Sequence, residues 1–308
     1  MEPSRRQFTV LAGALGLTAL GAPACAREVS GGEQAAAPVP TEPAREVIDL
    51  SGIEARRSGR MGFAIQDVQA GRWLGWRAEE RFVYCSTFKM FLAAATLLRV
   101  QAGDEQLDRP VAVTQADMIS HAPVTETAVG SALTVDRLMQ ATVEVSDNPA
   151  ANILIRELGG LEALSAFYRG IGDQTTRVDR LEPEMNRLDG DKDTILPAQA
   201  VANLAALFVE EGTPLTAPSR ELLLRWMTDT PTGPGRIRAG APSGWRVAHK
   251  TGTGGYGPVN DIGLIYPPSG APIVLAAYFH GAAGSTPDDR EAAIADATRQ
   301  ALEALGHV

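Results

Sequence analysis

Lysine is almost absent from this chain. Of 28 basic residues in 308, only Lys89, Lys192 and Lys250 are lysines, and the other 25 are arginines. Arginine does not give up its proton in a protein, whereas a buried lysine shifts its pKa and can act as a base. Lys192 stands in the charged stretch Asp189-Gly190-Asp191-Lys192-Asp193 and reads as surface. Lys89 and Lys250 instead fall inside Ser86-Thr87-Phe88-Lys89 and Lys250-Thr251-Gly252. Their placement beside hydroxyl residues points to a serine activated by an amine. Long basic runs are missing as well, and the net charge is −9, which argues against nucleic acid as a partner. The sequence shows no metal-ligand cluster and no internal repeat, so neither a metal nor another cofactor is expected.

Cysteine is rarer still, with only Cys25 and Cys85. Cys25 lies at the edge of an N-terminal segment in which Ser4-Arg5-Arg6-Gln7-Phe8 precedes an apolar run from Thr9 to Ala24. A twin-arginine pair ahead of a short apolar region reads as a Tat-type export signal over residues 1–26. The run is too short and too rich in small residues to read as a membrane span. The mature protein is therefore expected outside the cytoplasm, periplasmic or extracellular. Cleavage just before Cys25 would leave that residue to carry lipid, the one route by which a membrane becomes a partner. Cleavage after Ala26 would remove it and leave Cys85 without a disulfide partner. Residues 27–44, rich in Ala, Pro, Glu and Gly, read as a flexible linker. Residues 45–308 are long enough to bury a substantial core and are expected to form a monomeric catalytic domain.

The apolar pattern predicts a first helix over 45–57, then strands over 62–67 and 72–76 joined through Gln69-Ala70-Gly71 as a hairpin. From Ser86 to Gln101 the chain is almost continuously apolar and ends at Gly103, as a helix buried on nearly all sides would. Helices are expected at 134–144, 149–158, 161–169, 197–211 and 219–227, strands at 246–250, 262–266 and 272–278, and a last helix over 287–305. Strands at both ends and helices between them predict an α/β fold: an antiparallel sheet formed by both termini with flanking helices, plus an inserted all-helical lobe. The α/β lobe would take 45–80 and 232–308 and the helical lobe 81–231, with the active site in the cleft between them.

On a helix, Ser86 and Lys89 are three positions apart and share a face, close enough to touch. Ser146-Asp147-Asn148 precedes a proline, so it fits an ordinary helix N-cap as well as a catalytic segment. Lys250-Thr251-Gly252-Thr253 ends a strand, and reads either as a plain turn entry or as a cation with hydroxyls able to hold a carboxylate. Glu182 and Asn186 lie in the polar loop Asp179–Asn186, which an Arg180–Asp193 pair could close with both held inward.

Together these four segments resemble the class A serine β-lactamases, over about residue 45 to the C-terminus. The Ser86, Ser146 and Lys250 motifs match in order and approximate spacing, and Glu182-Pro183-Glu184-Met185-Asn186 matches the glutamate-bearing omega loop. The resemblance implies hydrolysis of a small-molecule β-lactam, and with it antibiotic resistance, through a serine acyl-enzyme. Ser86 would be the nucleophile, with Lys89, or Glu182 through a water, as its base. Ser146 would relay a proton to the ring nitrogen. Glu182 with Asn186 would orient the deacylating water, and Asn152 would steady Glu182. Lys250, Thr251, Gly252 and Thr253 would hold the substrate carboxylate and oxyanion, and Asn148 the side-chain amide. Cys85, His121, Arg236 and Thr253 are similar to the carbapenem-hydrolysing branch. There the cysteine is bridged to one that Gly254 replaces here. His249 stands where the family usually has Asp, and the omega loop looks slightly short. The rival readings are a penicillin-binding DD-peptidase and a sensor that acylates once without turnover; Glu182 and Asn186 argue against both.

Overall fold

The computed structural model describes residues 44–308. The expected export signal, Cys25 and all but the last residue of the expected linker lie outside the described residues. The N-terminal part runs through β1 (Arg45–Val47), α1 (Ser51–Arg57), β2 (Gly59–Asp67) and β3 (Arg72–Trp76). The middle holds β4 (Phe82–Val83), a 3-10 turn Cys85–Thr87, α2 (Phe88–Ala102), β5 (Pro110–Val113), β6 (Ser131–Thr134), α3 (Val135–Glu144), α4 (Asn148–Leu158) and α5 (Leu161–Gly170). It continues through β7 (Thr194–Ile195), α6 (Pro197–Phe208) and α7 (Ala217–Asp229). The chain returns through α8 (Ile237–Gly240), β8 (Arg246–Thr253), β9 (Pro258–Tyr266), β10 (Ile273–Gly281) and α9 (Pro287–Leu305).

Both ends of the described chain share one six-stranded sheet, ordered β1-β3-β2-β10-β9-β8. Its centre is β10, where every residue from Ile273 to Phe279 is buried. Val274, Ala276 and Tyr278 face one core, with the middle helices, while Leu275, Ala277 and Phe279 face a second core with Ile294 and Leu302 of α9. A continuous apolar run therefore marks a strand covered on both faces. In α2 everything from Phe88 to Leu97 is buried, Lys89 included, and Gly103 closes the helix at a φ of +82° that favours glycine. These two elements carry the predicted α/β arrangement.

The structure departs from expectation at several elements. The helix predicted over 45–57 forms only at Ser51–Arg57, because Arg45–Val47 pairs with β3, in parallel, at the edge of the sheet. The backbone of Ile48 then donates to Gly75, and the Asp49 carboxylate accepts from Ser51 N–H at 2.9 Å to start the helix. Edge pairing satisfies backbone groups that an isolated first turn of helix would leave open. The hairpin of β5 with β6 has no counterpart in the sequence-based expectation, and β8 and β9 run longer than predicted because their pairing extends as far as Thr253 and Val259.

Candidate active site

The 3-10 turn at the head of α2 places Ser86 on the cleft, and β8 passes beside it. Glycine at position 252 permits this approach: a Cβ there would lie 2.8 Å from the Tyr84 carbonyl oxygen and 3.1 Å from Ser86 N. Thr251 and Thr253 thereby reach the same cavity as Ser86, while Lys250 is fully buried. A cavity of about 280 Å³ opens here, with Ser86, His121, Ser146, Asn148, Asn186, Arg236, Thr251, Gly252 and Thr253 on its walls.

Ser86 and Lys89 do not bond each other directly, contrary to the simplest reading of their spacing. Both meet on Glu182. Ser86 Oγ donates to Glu182 Oε1 at 3.1 Å, and Lys89 Nζ stands 3.0 Å from the same oxygen. Lys89 also donates to the Ser146 carbonyl at 2.7 Å and to Asn148 Oδ1 at 2.5 Å. Burial pushes the Lys89 ammonium below its ordinary pKa, and the Glu182 carboxylate acts in the opposite direction.

Ser146 Oγ sits between the two ammonium groups, 3.3 Å from Lys89 Nζ and 3.2 Å from Lys250 Nζ. Burial, and then the neighbouring Lys89 charge, hold Lys250 well below its ordinary pKa. A hydroxyl held between two such amines is placed to receive and pass on a proton. The cap and site readings of this segment both hold. Asp147 accepts from Ala150 N–H and also from Val124 and Thr125, while Ser146 and Asn148 on either side line the cleft. Cys85, His121 and Ser146 all have positive φ, at 47°, 62° and 59°. Strained backbone of this kind persists where the surroundings over-determine it.

Glu182 is held from several directions. Asn186 Nδ2 donates to Glu182 Oε2. Asn152 pairs with the Glu182 backbone in both directions, at 2.9 and 3.0 Å. The loop is closed by Asp193, fully buried, whose carboxylate accepts from Arg180 Nε at 2.6 Å, from the backbone N–H groups of Asp179 and Arg180, and from the Tyr84 hydroxyl. The predicted Arg180–Asp193 pair therefore forms. Lys192 instead bonds Asp189 in solvent, in keeping with its charged stretch.

Arg236 is nearly buried and lines the cavity wall. It donates to the Gly252 and Asn260 carbonyls and to Thr253 Oγ1 at 2.8 Å, and pairs with Glu291 at 3.1 Å. His121 lies at the rim with Nε2 2.9 Å from the Val145 carbonyl. Among the described residues Cys85 is a buried free thiol, and burial drives its pKa upward.

Sequence reasoning missed Thr232, whose hydroxyl bonds Thr251 Oγ1 at 2.8 Å on the cavity wall. It also missed Asn260, which donates to the Val83 and Tyr84 carbonyls and ties β9 to the strand before Ser86. Neither sits in a recognisable local pattern.

Comparison with known proteins agrees with this geometry. The Beta-lactamase enzyme family matches residues 43–305. The chain is 40% identical to beta-lactamase L2 of Stenotrophomonas maltophilia over 98% of its own length and 99% of the relative's. It is 42% identical to the carbapenem-hydrolyzing beta-lactamase KPC of Klebsiella oxytoca, over 82% of this chain and 87% of that one. Among solved structures, an ancestral class A beta-lactamase is 46% identical with a TM-score of 0.79, covering 83% of this chain and 98% of that chain. A beta-lactamase from Xanthomonas campestris is 42% identical with a TM-score of 0.80, covering 83% and 96%. The chain belongs to the class A serine β-lactamases, enzymes that hydrolyse β-lactam antibiotics and so confer resistance to them.

Proposed function

We propose that Ser86 is the nucleophile of a two-step hydrolysis and that Glu182 serves both steps. The observation that carries this is the single carboxylate oxygen shared by Ser86 Oγ and Lys89 Nζ. As Ser86 attacks the β-lactam carbonyl, its proton passes to Glu182, while the Lys89 ammonium steadies the charge on both. The backbone N–H groups of Ser86 and Thr253 hold the oxyanion. Ser146, between its two amines, delivers its proton to the departing ring nitrogen and regains one from Lys89, which in turn recovers the proton that Glu182 took from Ser86, so that Glu182 is a carboxylate again. Lys250, Thr251 and Thr253 bind the substrate carboxylate, and Asn148 and His121 border the side chain of the antibiotic. Glu182, held by Asn186, then draws a proton from water to release the acyl group. The test is nitrocefin turnover by the wild type and Ser86→Ala. Colour change by the wild type alone supports the assignment, and turnover by Ser86→Ala at the wild-type rate removes it.

Carbapenems are the second substrate class proposed. Support comes from the bond of Arg236 to the Thr253 hydroxyl at the cleft edge, together with the KPC relative. Loss of a carbapenem's ring absorbance on mixing with enzyme checks it. The enzyme is further proposed to act as an exported monomer, periplasmic or extracellular, without nucleic-acid partners. The support is the Arg5-Arg6 pair ahead of the apolar run and the net charge of −9. N-terminal sequencing of the secreted protein, expected to start between Cys25 and Glu28, tests the export route.

A further inference from the structure

Three hydroxyls run in line behind the cavity wall. Thr251 Oγ1 on β8 lies 2.8 Å from Thr232 Oγ1, which lies 2.9 Å from Thr230 Oγ1, just beyond α7. Thr230 Oγ1 ends the line 2.6 Å from the carbonyl oxygen of Glu144, the last residue of α3. Thr230 is buried, while Thr232 and Thr251 line the cavity. A hydroxyl has one proton to donate and two lone pairs with which to accept. The Glu144 carbonyl can only accept, so the Thr230 proton is committed to it. The Thr230 oxygen then accepts twice, from the Thr232 hydroxyl and from the Thr232 backbone N–H at 3.2 Å. With the Thr232 proton committed in turn, the bond between Thr232 and Thr251 is made with the Thr251 proton. One carbonyl at the far end therefore sets the direction of every bond in the line. At rest Thr251 turns its proton away from the cavity and offers the cavity only lone pairs.

We propose that this line of hydroxyls is a relay that reverses when a substrate carboxylate binds, with Thr230 and Thr232 as positioning residues behind Thr251. It rests on the reading of Thr251 as a donor to that carboxylate. A carboxylate only accepts, so Thr251 must turn its proton into the cavity to meet it. Thr232 then donates to Thr251 and Thr230 to Thr232, and the Glu144 carbonyl loses its donor. That carbonyl is among the last of α3, which the helix itself leaves open, and among the described residues Thr230 is the only donor to it. The backbone stays in place, with Arg238 holding the Thr230 carbonyl at 3.3 Å, because rotation about each Cβ–Oγ bond is enough to carry the protons across. Stranding the Glu144 carbonyl weakens binding of an anionic substrate by the worth of that bond. It also acts two residues before Ser146, so that carboxylate binding on β8 is felt by the segment that passes the proton to the ring nitrogen.

The experiment reads the dissociation constant for benzylpenicillin in a Ser86→Ala background, where no acyl bond forms, together with melting temperature. Thr230→Val, Thr232→Val, Thr230→Ser, Thr232→Ser and Thr251→Val are each added to that background. Thr230→Val leaves the Glu144 carbonyl without a donor before the substrate arrives. Thr232→Val frees the Thr251 proton and leaves the Thr230 bond in place. Both should bind benzylpenicillin about fivefold more tightly, the worth of one hydrogen bond between neutral groups. Melting temperature should fall in Thr230→Val, so that stability and affinity move in opposite directions, which loss of a merely structural contact does not produce. The serine variants keep their hydroxyls and should bind as the background does. Affinity unchanged or weaker in either valine variant, or serine variants that follow the valine ones, would overturn the relay. If Thr230→Val fails to fold, Thr232→Val against Thr232→Ser carries the test. Thr251→Val should bind about fivefold more weakly; binding as tight as the background would instead overturn Thr251 as the donor to the carboxylate.

Discussion

Lys89 and Glu182 form an ion pair from which solvent is wholly excluded, with Nζ 3.0 Å from Oε1. The pair joins the first turn of α2 to the omega loop, and the Ser86 hydroxyl donates to the same oxygen from 96 positions away in the chain. Each partner is thus the condition for the other to remain charged in a dry site. Removing one side of a buried pair typically costs about 3–5 kcal/mol, since the other charge is stranded.

Glu182→Ala should slow acylation, because Lys89 alone is then left to take the Ser86 proton, and should arrest the second step more completely, because no other group is placed to draw a proton from water. Loss of a positioned general base costs about 10²–10⁴ in rate. Intact mass spectrometry after mixing with benzylpenicillin is expected to show a persistent adduct in this variant and little in the wild type. Turnover of Glu182→Ala at the wild-type rate would make Glu182 an ordinary loop carboxylate.

Gly252→Ala tests the approach of β8 to the nucleophile. The added Cβ would meet backbone atoms, Tyr84 O at 2.8 Å and Ser86 N at 3.1 Å, which cannot swing away as a flexible side chain would. The strand must retreat, and the Thr253 N–H goes with it. Acylation is expected to slow by about 10²-fold or more, as when one oxyanion donor is lost. Stopped-flow acylation at the wild-type rate would show that β8 does not supply that donor.

Asp193→Ala should uncouple the omega loop. Its carboxylate accepts from Arg180, Asp179 and Tyr84 at once, and the variant leaves these donors unsatisfied. Melting temperature should fall, and deacylation should slow more than acylation, because Glu182 and Asn186 sit on the released loop while Ser86 does not. Equal slowing of both steps would contradict this.

His280 sets an acid-side dependence of stability. Burial, with the nearby Arg60 charge as a second cause, lowers its pKa to about 4 from 6.5. Its ring packs edge-on against Phe82 with centroids 5.3 Å apart. Between those two pH values the unfolded chain binds the proton and the folded one does not, so stability falls as pH drops from about 6.5 to about 4. At about 1.4 kcal/mol per unit, the loss from this group reaches roughly 3 kcal/mol. His280→Phe should flatten that part of a urea-denaturation series against pH, and an unchanged slope would assign it elsewhere.

The sequence by itself determined the reaction class and the covering of the sheet. Lysines kept at 89 and 250, the serine segments and Glu182 with Asn186 name the chemical parts, and the apolar runs at Phe88–Leu97 and Ile273–Phe279 mark elements covered on nearly every side. Such signals are local: they record what one segment must bury or cap. Only the tertiary structure decided that Ser86 and Lys89 meet through Glu182 rather than directly, that Arg236 bonds the Thr253 hydroxyl, and that His249 is paired with Asp261. It also decided that Arg45–Val47 is an edge strand and not helix, since the deciding partner, Trp73–Gly75, lies elsewhere in the chain. The physical reason is the same in each case. The energy of a buried charge or an open backbone group depends on what the fold brings to it from a distance, and no period or spacing along a single segment contains that.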